Sequence, residues 1–384
     1  MIYLDNAATT PVAGEVLEAM VPYFSEKYGN PSSLHTPGQD ARKAMEEARE
    51  QAARVINADP DEMIFTSGGT EADNLAIKGA VFNSCGSEES PHIITSRIEH
   101  PAVLEVCKCL EEMGMDVTYL KVDKDGMVDP EDVEKAIRKG TVLVSIMHAN
   151  NEIGTIEPIG EIARVCKRHG VLFHTDAVQT FGKVPIDVRK MGIDLLSASS
   201  HKVHGPKGVG CLYVRRGVKL HTMLQGGGHE RGMRSGTENV AGIVGFGKAC
   251  ELSRKTMKKE SARQKALRDR LISGVMGIPG TRLNGHPGKR LPGNANFGFG
   301  SIEGESLVLR LDARGIAAST GSACSTGKLE PSHVLTAIGL KPEESHGSLR
   351  LTLGRQTTKD DIDYTIRAVK EETWELRKMS PIRE

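Results

Sequence analysis

Short apolar runs alternate with amphipathic segments of helix length through the first two thirds of the chain. The runs predict strands, and they lie at Glu62–Thr66, His92–Thr95, Val117–Leu120, Val142–Ile146, Val171–His174 and Asp194–Ser197. The segments between them, such as Pro101–Gly114 and Ile159–His169, have the length of helices. Near-continuous β-branched and apolar strands separated by helices are typical of sheets that are covered on both faces. The pattern therefore predicts an α/β fold with a mostly parallel sheet.

The pattern changes after about residue 240. A long charged segment, Val240–Val275, predicts a connecting helix, and turns rich in glycine and proline follow it. Strands at Asn294–Gly298 and Leu349–Leu353, together with helices over Glu303–Arg314 and from Thr358 onward, predict a smaller α+β unit. We expect a large domain over residues 14–255 and a small domain made of residues 1–13 and 256–384.

Composition narrows the class of protein. The 384 residues include 50 Lys+Arg and 50 Asp+Glu, and this balance argues against a dedicated nucleic-acid binder, which needs a basic face. No apolar run approaches the roughly 20 residues that span a bilayer, and Met1–Asn6 has no signal-peptide pattern. Seven scattered cysteines without a C-x-x-C pair indicate reduced thiols. We therefore expect a cytoplasmic protein.

A glycine-rich turn connects the first predicted strand to the helix after it, at Ser67–Glu71. Glycines let backbone N–H groups approach an anion closely, and a helix N-terminus adds partial positive charge. The turn is therefore a candidate phosphate site. An ordinary helix start with Thr70 as N-cap explains the same residues about as well. No nucleotide-binding motif of the G-x-x-x-x-G-K-[ST] or G-x-G-x-x-G type is present.

Two further candidates stand at the ends of later strands. Asp176 follows the strand Val171–His174, where α/β sheets place ligands, although a surface aspartate is common there. Lys202 follows the strand Asp194–Ser197 within a Ser/His/Lys cluster, and a desolvated lysine can form a Schiff base. A solvated loop lysine is the ordinary alternative, and Lys207 is the obvious example. A phosphate site, an acid and a lysine are together what pyridoxal phosphate needs.

Two loops remain. Ser319–Gly327 surrounds Cys324 with small and polar residues, which predicts an exposed thiol in a mobile loop, whereas a tolerated surface cysteine is the alternative. Cys85 also lies in a loop of this kind but without accompanying chemistry. Gly226–Thr237 combines glycines with basic residues, so it is either a second anion-binding loop or a flexible surface loop.

These motifs together resemble the cysteine desulfurases of the NifS/IscS group, within the class V aminotransferases. The resemblance covers nearly the whole chain in the family's order, through Leu4–Pro11, Gly29–Ser33, Thr66–Ile77, Glu99–His100, Met147–Gly154, Asp176, Lys202, Gly226–Thr237, Ser322–Cys324, Leu329–Ser332 and Arg350. It implies the fold of pyridoxal-phosphate-dependent transferases of the aspartate aminotransferase type, with a seven-stranded sheet. Gly69 stands where bacterial housekeeping members carry alanine.

The resemblance also implies a role for each site residue. Lys202 would hold pyridoxal phosphate as an imine, His100 would stack on the ring and move protons, and Cys324 would accept sulfur. The remaining cofactor contacts would come from Gly69, Thr70, Asn151, Asp176 at the pyridine nitrogen, Gln179, Ser199, His201 and, from the neighbouring subunit of a homodimer, Thr237. Asn151 and Arg350 would hold the carboxylate of the substrate, L-cysteine.

The implied reaction converts L-cysteine to L-alanine and leaves the sulfur as a persulfide on Cys324, for an iron–sulfur scaffold protein of the IscU/NifU type. Three alternatives stay open: a selenocysteine lyase or β-lyase of the same fold, an ordinary aminotransferase, and a sulfur-carrier module without turnover. In the last, Cys324 would be a metal ligand to an iron–sulfur cluster shared with the scaffold. That role and catalysis are compatible with one another.

Overall fold

The computed structural model describes residues 1–85, 90–321 and 331–380. Cys324 lies outside these ranges, so the predictions that concern it are not tested by the structure. Within them the chain forms twelve strands: β1 (Ile2–Tyr3), β2 (Met63–Thr66), β3 (His92–Ser96), β4 (Asp116–Leu120), β5 (Thr141–Ser145), β6 (Leu172–Asp176), β7 (Leu195–Ser199), β8 (Gly210–Val214), β9 (Thr281–Asn284), β10 (Asn294–Phe299), β11 (Ile316–Ala317) and β12 (Ser348–Thr352).

Helices separate most of these strands. They are α1 (Gly14–Met20), α2 (Pro22–Ser25), α3 (Thr36–Val55), α4 (Gly69–Asn83), α5 (Pro101–Glu112), α6 (Pro130–Ala136), α7 (Ile159–His169), α8 (Val188–Met191), α9 (Val240–Val275), α10 (Gly304–Ala313), α11 (His333–Ala337), α12 (Pro342–Ser345) and α13 (Lys359–Met379). Short 3₁₀ turns lie at Pro60–Glu62, Ser200–Lys202 and Glu230–Gly232. None of the described helices is long and apolar enough to cross a membrane.

The central sheet has seven strands in the order β2-β8-β7-β6-β5-β3-β4. The neighbouring pairs β7-β6, β6-β5, β5-β3 and β3-β4 are parallel. Strand β8 is antiparallel to both of its neighbours, β2 and β7. The six strands expected in this region are confirmed, and so is the mostly parallel sheet. β8 was not expected from the sequence.

The helices form where the sequence pattern predicts them. In α7 the buried residues recur on one face, at Ile159, Ile162, Ala163, Val165 and Cys166, because an amphipathic helix turns its apolar stripe toward the core. Gly170 ends this helix with φ +68°, a left-handed conformation in which glycine has no Cβ clash.

The part of the chain that forms the central sheet and the C-terminal part have separate apolar cores. One is built around residues of the central sheet and α7, together with Ile243 and Phe246 of α9. The other joins Leu271 and Val275, from the far end of α9, to the antiparallel sheet β12-β10-β9 and to Leu4. Helix α9 thus runs without a break through residue 255, where we placed the domain boundary. The exact division remains a prediction.

Candidate active site

The predicted phosphate site lies where β2 enters α4. Gly68, not Thr70, is the N-cap, and no side chain caps this helix. Thr70 is already the second helical residue, so the alternative of an ordinary Thr70 cap is wrong. Among the described residues no acceptor receives the N–H groups of Gly69 and Thr70, which are orphan donors of the first turn. A methyl group added at Gly69 would lie 3.6 Å from Ser199 Cβ, so the end of β7 adjoins this turn.

Asp176 ends β6 and is almost completely buried. Its Oδ1 accepts a hydrogen bond from Val178 N at 2.8 Å. Burial raises the pKa of Asp176. His100 when protonated, the hydrogen bond from Val178 N and the charge of Lys202 oppose that shift. The carboxylate is therefore short of counter-charge, and a cationic partner would favour its ionised form.

Lys202 ends the 3₁₀ turn that follows β7. Its ammonium donates to the carbonyl oxygens of Ala7 and, at 2.8 Å, Ala8. Gln179 Nε2 donates to the same Ala7 oxygen at 3.0 Å, so the N-terminal segment joins the two side chains. Lys207 is exposed, as expected for a loop lysine.

Two histidines border Lys202. His100 is the N-cap of α5, and its Nδ1 accepts from Ala102 N at 3.1 Å, which places a proton of the neutral ring on Nε2. Burial lowers the pKa of His100, and so do the charges of Lys202 and His333, against Asp176. His201 Nδ1 lies 3.1 Å from Thr9 Oγ1, and burial lowers its pKa to about 4. Both rings are therefore largely neutral near pH 7.

Arg350 lies buried in β12. Its Nη1 donates to Asn151 O at 3.0 Å and its Nη2 donates to Asp5 Oδ1 at 2.8 Å. Nε is buried and has no hydrogen-bond partner in the described structure. Backbone hydrogen bonds join Arg350 to Ser319 in both directions, at 2.6 and 3.3 Å. The guanidinium is thus fixed beside Asn151 and already paired with the Asp5 carboxylate, and Nε–H is the donor left without a partner in the described structure.

The described residues on either side of 322–330 are attached near this arginine. Gly321 N donates to Ser319 Oγ at 3.1 Å, and Ser319 pairs with Arg350. On the other side, Ser332 Oγ donates to Glu152 Oε2 at 2.6 Å. Because Glu152 directly follows Asn151, the described residues that flank 322–330 on both sides lie at the candidate site.

Thr237 lies apart from the other predicted contacts. It is exposed and borders a hollow formed with residues of α2 and the following loop, including Tyr28 and Asn30. Its loop is attached to the phosphate turn, because Arg234 Nε donates to Glu71 Oε1 at 2.8 Å. The predicted role toward a neighbouring subunit stays a prediction.

Several ionisable residues at the site were assigned no role from the sequence, although they lie within the motifs that carry the family resemblance. Asp5 pairs with Arg350 across 345 positions of chain. Asp73 is buried in α4 with its Oδ1 3.6 Å from His174 Nε2, and Glu99 is buried with its pKa raised by burial to about 8. Beyond burial, the charge of Asp176 raises the pKa of both Asp73 and Glu99, so the strand order brings these three carboxyls near one another. No group of three or more His, Cys, Asp or Glu residues within the described ranges is arranged to hold a metal ion.

The chain belongs to the class-V aminotransferase family, whose model matches residues 2–365. It is 54% identical over 384 residues to a protein of Dictyoglomus turgidum named cysteine desulfurase IscS, covering 100% of this chain and 97% of that one. A cysteine desulfurase IscS of Methanosarcina thermophila is 55% identical over 381 residues, with 99% and 94% covered.

Solved structures are similar as well. A structure titled "NifS-like protein" has a TM-score of 0.90 at 40% identity, covering 96% of this chain and 98% of its own. One titled "SspA in complex with cysteine" has a TM-score of 0.81 at 41% identity, covering 92% and 99%. The expected α/β class and the aspartate aminotransferase type of fold are confirmed.

Proposed function

We propose that this protein is a pyridoxal-phosphate-dependent cysteine desulfurase. The observation that carries the proposal is the meeting of Lys202, Asp176 and His100 at the ends of adjacent elements, beside a helix N-terminus with free N–H donors. Full-length relatives named cysteine desulfurase share about half of all residues with this chain. L-cysteine is the substrate and L-alanine the product.

The residues present fit the cofactor. The unpaired N–H groups of Gly69 and Thr70, with the neighbouring Ser199 and His201, suit a phosphate group. Asp176, a buried acid whose pKa is raised by burial, suits the pyridine nitrogen, and Gln179 suits the ring hydroxyl. When bound, pyridoxal phosphate withdraws electrons from the substrate Cα, so that a proton can leave it.

Four residues of the chain then have separate roles in the proposed reaction. The Lys202 amine holds the cofactor and, once free, accepts the Cα proton. The neutral ring of His100 carries its proton on Nε2. In this proposal it donates that proton to a reacting group beside the cofactor ring. Arg350 holds the substrate carboxylate, with Asn151 beside it, because a guanidinium fork matches two carboxylate oxygens. These contacts fix the orientation of L-cysteine by its carboxylate.

Cys324 is the sulfur acceptor in this proposal. The Cβ–S bond of L-cysteine breaks, an S–S bond forms at Cys324, and a proton takes the place of sulfur on the product. L-cysteine and a thiol are thereby converted to L-alanine and a persulfide, with atoms and electrons in balance. The attachments of Ser319 to Arg350 and of Ser332 to Glu152 support this role, since they hold both ends of the segment near the substrate.

The lysine and the cysteine each have a matched control. Lys202→Ala should abolish both the visible absorbance of bound cofactor and the release of alanine, whereas exposed Lys207→Ala should change neither. Cys324→Ser should abolish sulfide release from L-cysteine, and Cys85→Ser should not. Retained release in the Cys324 variant would favour a selenocysteine lyase or β-lyase. A protein that stays colourless with added pyridoxal phosphate would favour a carrier module without turnover.

Assembly and delivery belong to the same proposal. We infer a cytoplasmic homodimer in which Thr237 contacts the cofactor phosphate of the partner subunit, and a scaffold of the IscU/NifU type as sulfur acceptor. Cys324 would also serve as an iron–sulfur ligand there.

Mixing Lys202→Ala subunits with Thr237→Ala subunits tests the dimer, because each hybrid regains one intact site. Activity that does not recover in hybrids isolated by two affinity tags would contradict it.

A further inference from the structure

A chain of buried polar side chains lies under helix α4, beside Asp176. Asp73 joins it from α4, and His174 stands on β6 two residues before Asp176, so both side chains of that strand lie on one face of the sheet. Ser197 of β7 is the cross-strand neighbour of Asp176, and Ser145 of β5 is that of His174. Asp73, His174, Ser197 and Ser145 are each at most 1% exposed. None of these four residues has a role in the proposed reaction.

His174 lies between two hydroxyl groups. Its Nδ1 is 2.8 Å from Ser145 Oγ, and its Nε2 is 3.0 Å from Ser197 Oγ. Asp73 completes the chain, because its Oδ1 lies 3.6 Å from the same Nε2 and its carboxyl is hydrogen-bonded to the Ser197 side chain. That Oδ1 has no hydrogen-bond partner in the described structure. A neutral imidazole donates from one nitrogen and accepts at the other, so the hydrogen bonds of this chain have a direction.

The direction depends on whether Asp73 carries a proton. An ionised Asp73 only accepts, so the Ser197 hydroxyl donates to it, His174 Nε2–H donates to Ser197, and Ser145 donates to Nδ1. A protonated Asp73 reverses each bond. It donates to Ser197, Ser197 donates to Nε2, and Nδ1–H donates to Ser145. The ring tautomer of His174 therefore reports the proton on Asp73.

The groups that face Asp73 disfavour its ionised form. Burial raises the pKa of Asp73 first and the charge of Asp176 raises it further, while the hydrogen bond with Ser197 opposes the shift and Glu99 adds to it. Among the described residues, His174 is the one basic side chain within ion-pair distance of Asp73. Burial lowers the pKa of His174 to about 3, so the ring is neutral near neutral pH and supplies no counter-charge.

The two arrangements have unequal costs. The ionised one buries a carboxylate without a cation, whereas the protonated one leaves the Ser145 hydroxyl proton without an acceptor in the described structure. An unmade hydroxyl hydrogen bond costs less than a buried charge without a counter-ion. Asp176, by contrast, has the charge of Lys202 to favour its ionised form. Of these two carboxyls, Asp176 is therefore the one that keeps a negative charge.

We infer that Asp73 is a positioning residue that keeps its proton, donates it to the Ser197 hydroxyl, and so fixes His174 as the tautomer with its proton on Nδ1. The consequence for catalysis rests on the proposed function. With Asp73 neutral, Asp176 is the ionised acid that partners the pyridine nitrogen of the cofactor, and no second negative charge competes with it from α4.

The test reads the tautomer of His174 in the full-length, cofactor-loaded protein with isotope-labelled histidine. Nitrogen–proton correlation spectra distinguish the two tautomers, and the signals lost in His174→Gln assign the residue. The informative variant is Asp73→Asn, whose side-chain amide donates as the neutral acid does. His92 is the internal control, because it is a buried histidine between two other hydroxyls, Thr141 Oγ1 and Thr118 Oγ1, each at 2.8 Å. Its signals should not move in the variant.

The inference predicts a proton on Nδ1 of His174 in both the wild-type protein and Asp73→Asn. Infrared difference spectra near neutral pH should also show a carboxylic acid band in the wild type that Asp73→Asn lacks. A proton on Nε2 in the wild type, a tautomer that changes in Asp73→Asn, or the loss of a carboxylate band in place of the acid band would overturn the inference. If Asp73→Asn does not fold, the wild-type tautomer alone decides.

Neither spectrum needs L-cysteine, so the inference and the proposed function can fail separately. The predicted tautomer in a protein that does not turn over L-cysteine would leave the proton on Asp73 standing and reject the desulfurase proposal. Turnover of L-cysteine by a protein whose His174 carries its proton on Nε2 would do the reverse.

Discussion

The buried ion pair between Arg49 and Glu230 offers a sharp test of how the loop Gly226–Thr237 is held. Arg49 Nη1 and Nη2 donate to the two carboxylate oxygens at 2.7 and 2.8 Å, and the side chains are 4% and 2% exposed. Arg49 also donates to Met63 O, and Glu230 accepts from Phe65 N, each at 2.8 Å. The pair therefore fastens the loop to β2, the strand that leads into the phosphate turn.

Removing one partner leaves the other charge buried, which costs about 3–5 kcal/mol. We expect that loss of unfolding free energy in Arg49→Met. The loss in Glu230→Gln should be smaller, because Arg49 Nε still donates to the half-exposed carboxylate of Glu46 at 3.2 Å. The double variant has no stranded charge, so its loss should be smaller than the sum by up to about 3 kcal/mol. Urea unfolding followed by circular dichroism measures all three.

The exposed pair between Arg54 and Glu50 on the same helix α3 is the matched control. Its side chains are about half exposed, so Arg54→Met should cost no more than about 0.5 kcal/mol. A loss below about 1 kcal/mol in Arg49→Met would refute the reasoning. So would losses that simply add in the double variant, because the two side chains would then not act as a pair.

Three further predictions concern the site and its surroundings. Arg350→Lys should raise KM for L-cysteine about 10- to 100-fold, the loss of one charged hydrogen bond, and steady-state kinetics would show it. Gly69→Ala should lower the free energy of unfolding, measured with urea, by about 1–3 kcal/mol, since its methyl group would lie 2.7 Å from Val178 Cγ2. Adding Val178→Ala to that variant should restore the lost stability. Burial lowers the pKa of His148 to about 4, so the stability it contributes is present above about pH 6.5 and is lost as the pH falls toward 4. His148→Gln should therefore flatten the unfolding free energy against pH in that window.

Much of the fold follows from local patterns. Helix α9 begins and ends at Val240 and Val275 as expected, because the segment contains no proline and is rich in the strong helix formers Ala, Leu, Lys, Arg and Glu. The strands that carry Asp176 and Lys202 are short apolar runs between helices, and their order in a parallel sheet brings their ends to one edge. The position of Asp176 and Lys202 at one edge could therefore be predicted from the sequence, whereas their roles were implied by the family resemblance.

The remainder depends on contacts between distant parts of the chain. β8 pairs antiparallel with both β2 and β7, and nothing within Gly210–Val214 specifies those partners. Asp5 reaches Arg350 only because the first strand and β12 belong to one small unit.

The most direct measurement starts with the cofactor-loaded protein and L-cysteine, and the mass of the peptide containing Cys324 is determined first. A reductant is then added, and alanine and sulfide are quantified together. The account predicts alanine and sulfide in equal amounts and a peptide heavier by one sulfur atom, with neither product formed by Lys202→Ala. Sulfide released without alanine, or alanine formed while the Cys324 peptide never gains sulfur, would contradict it.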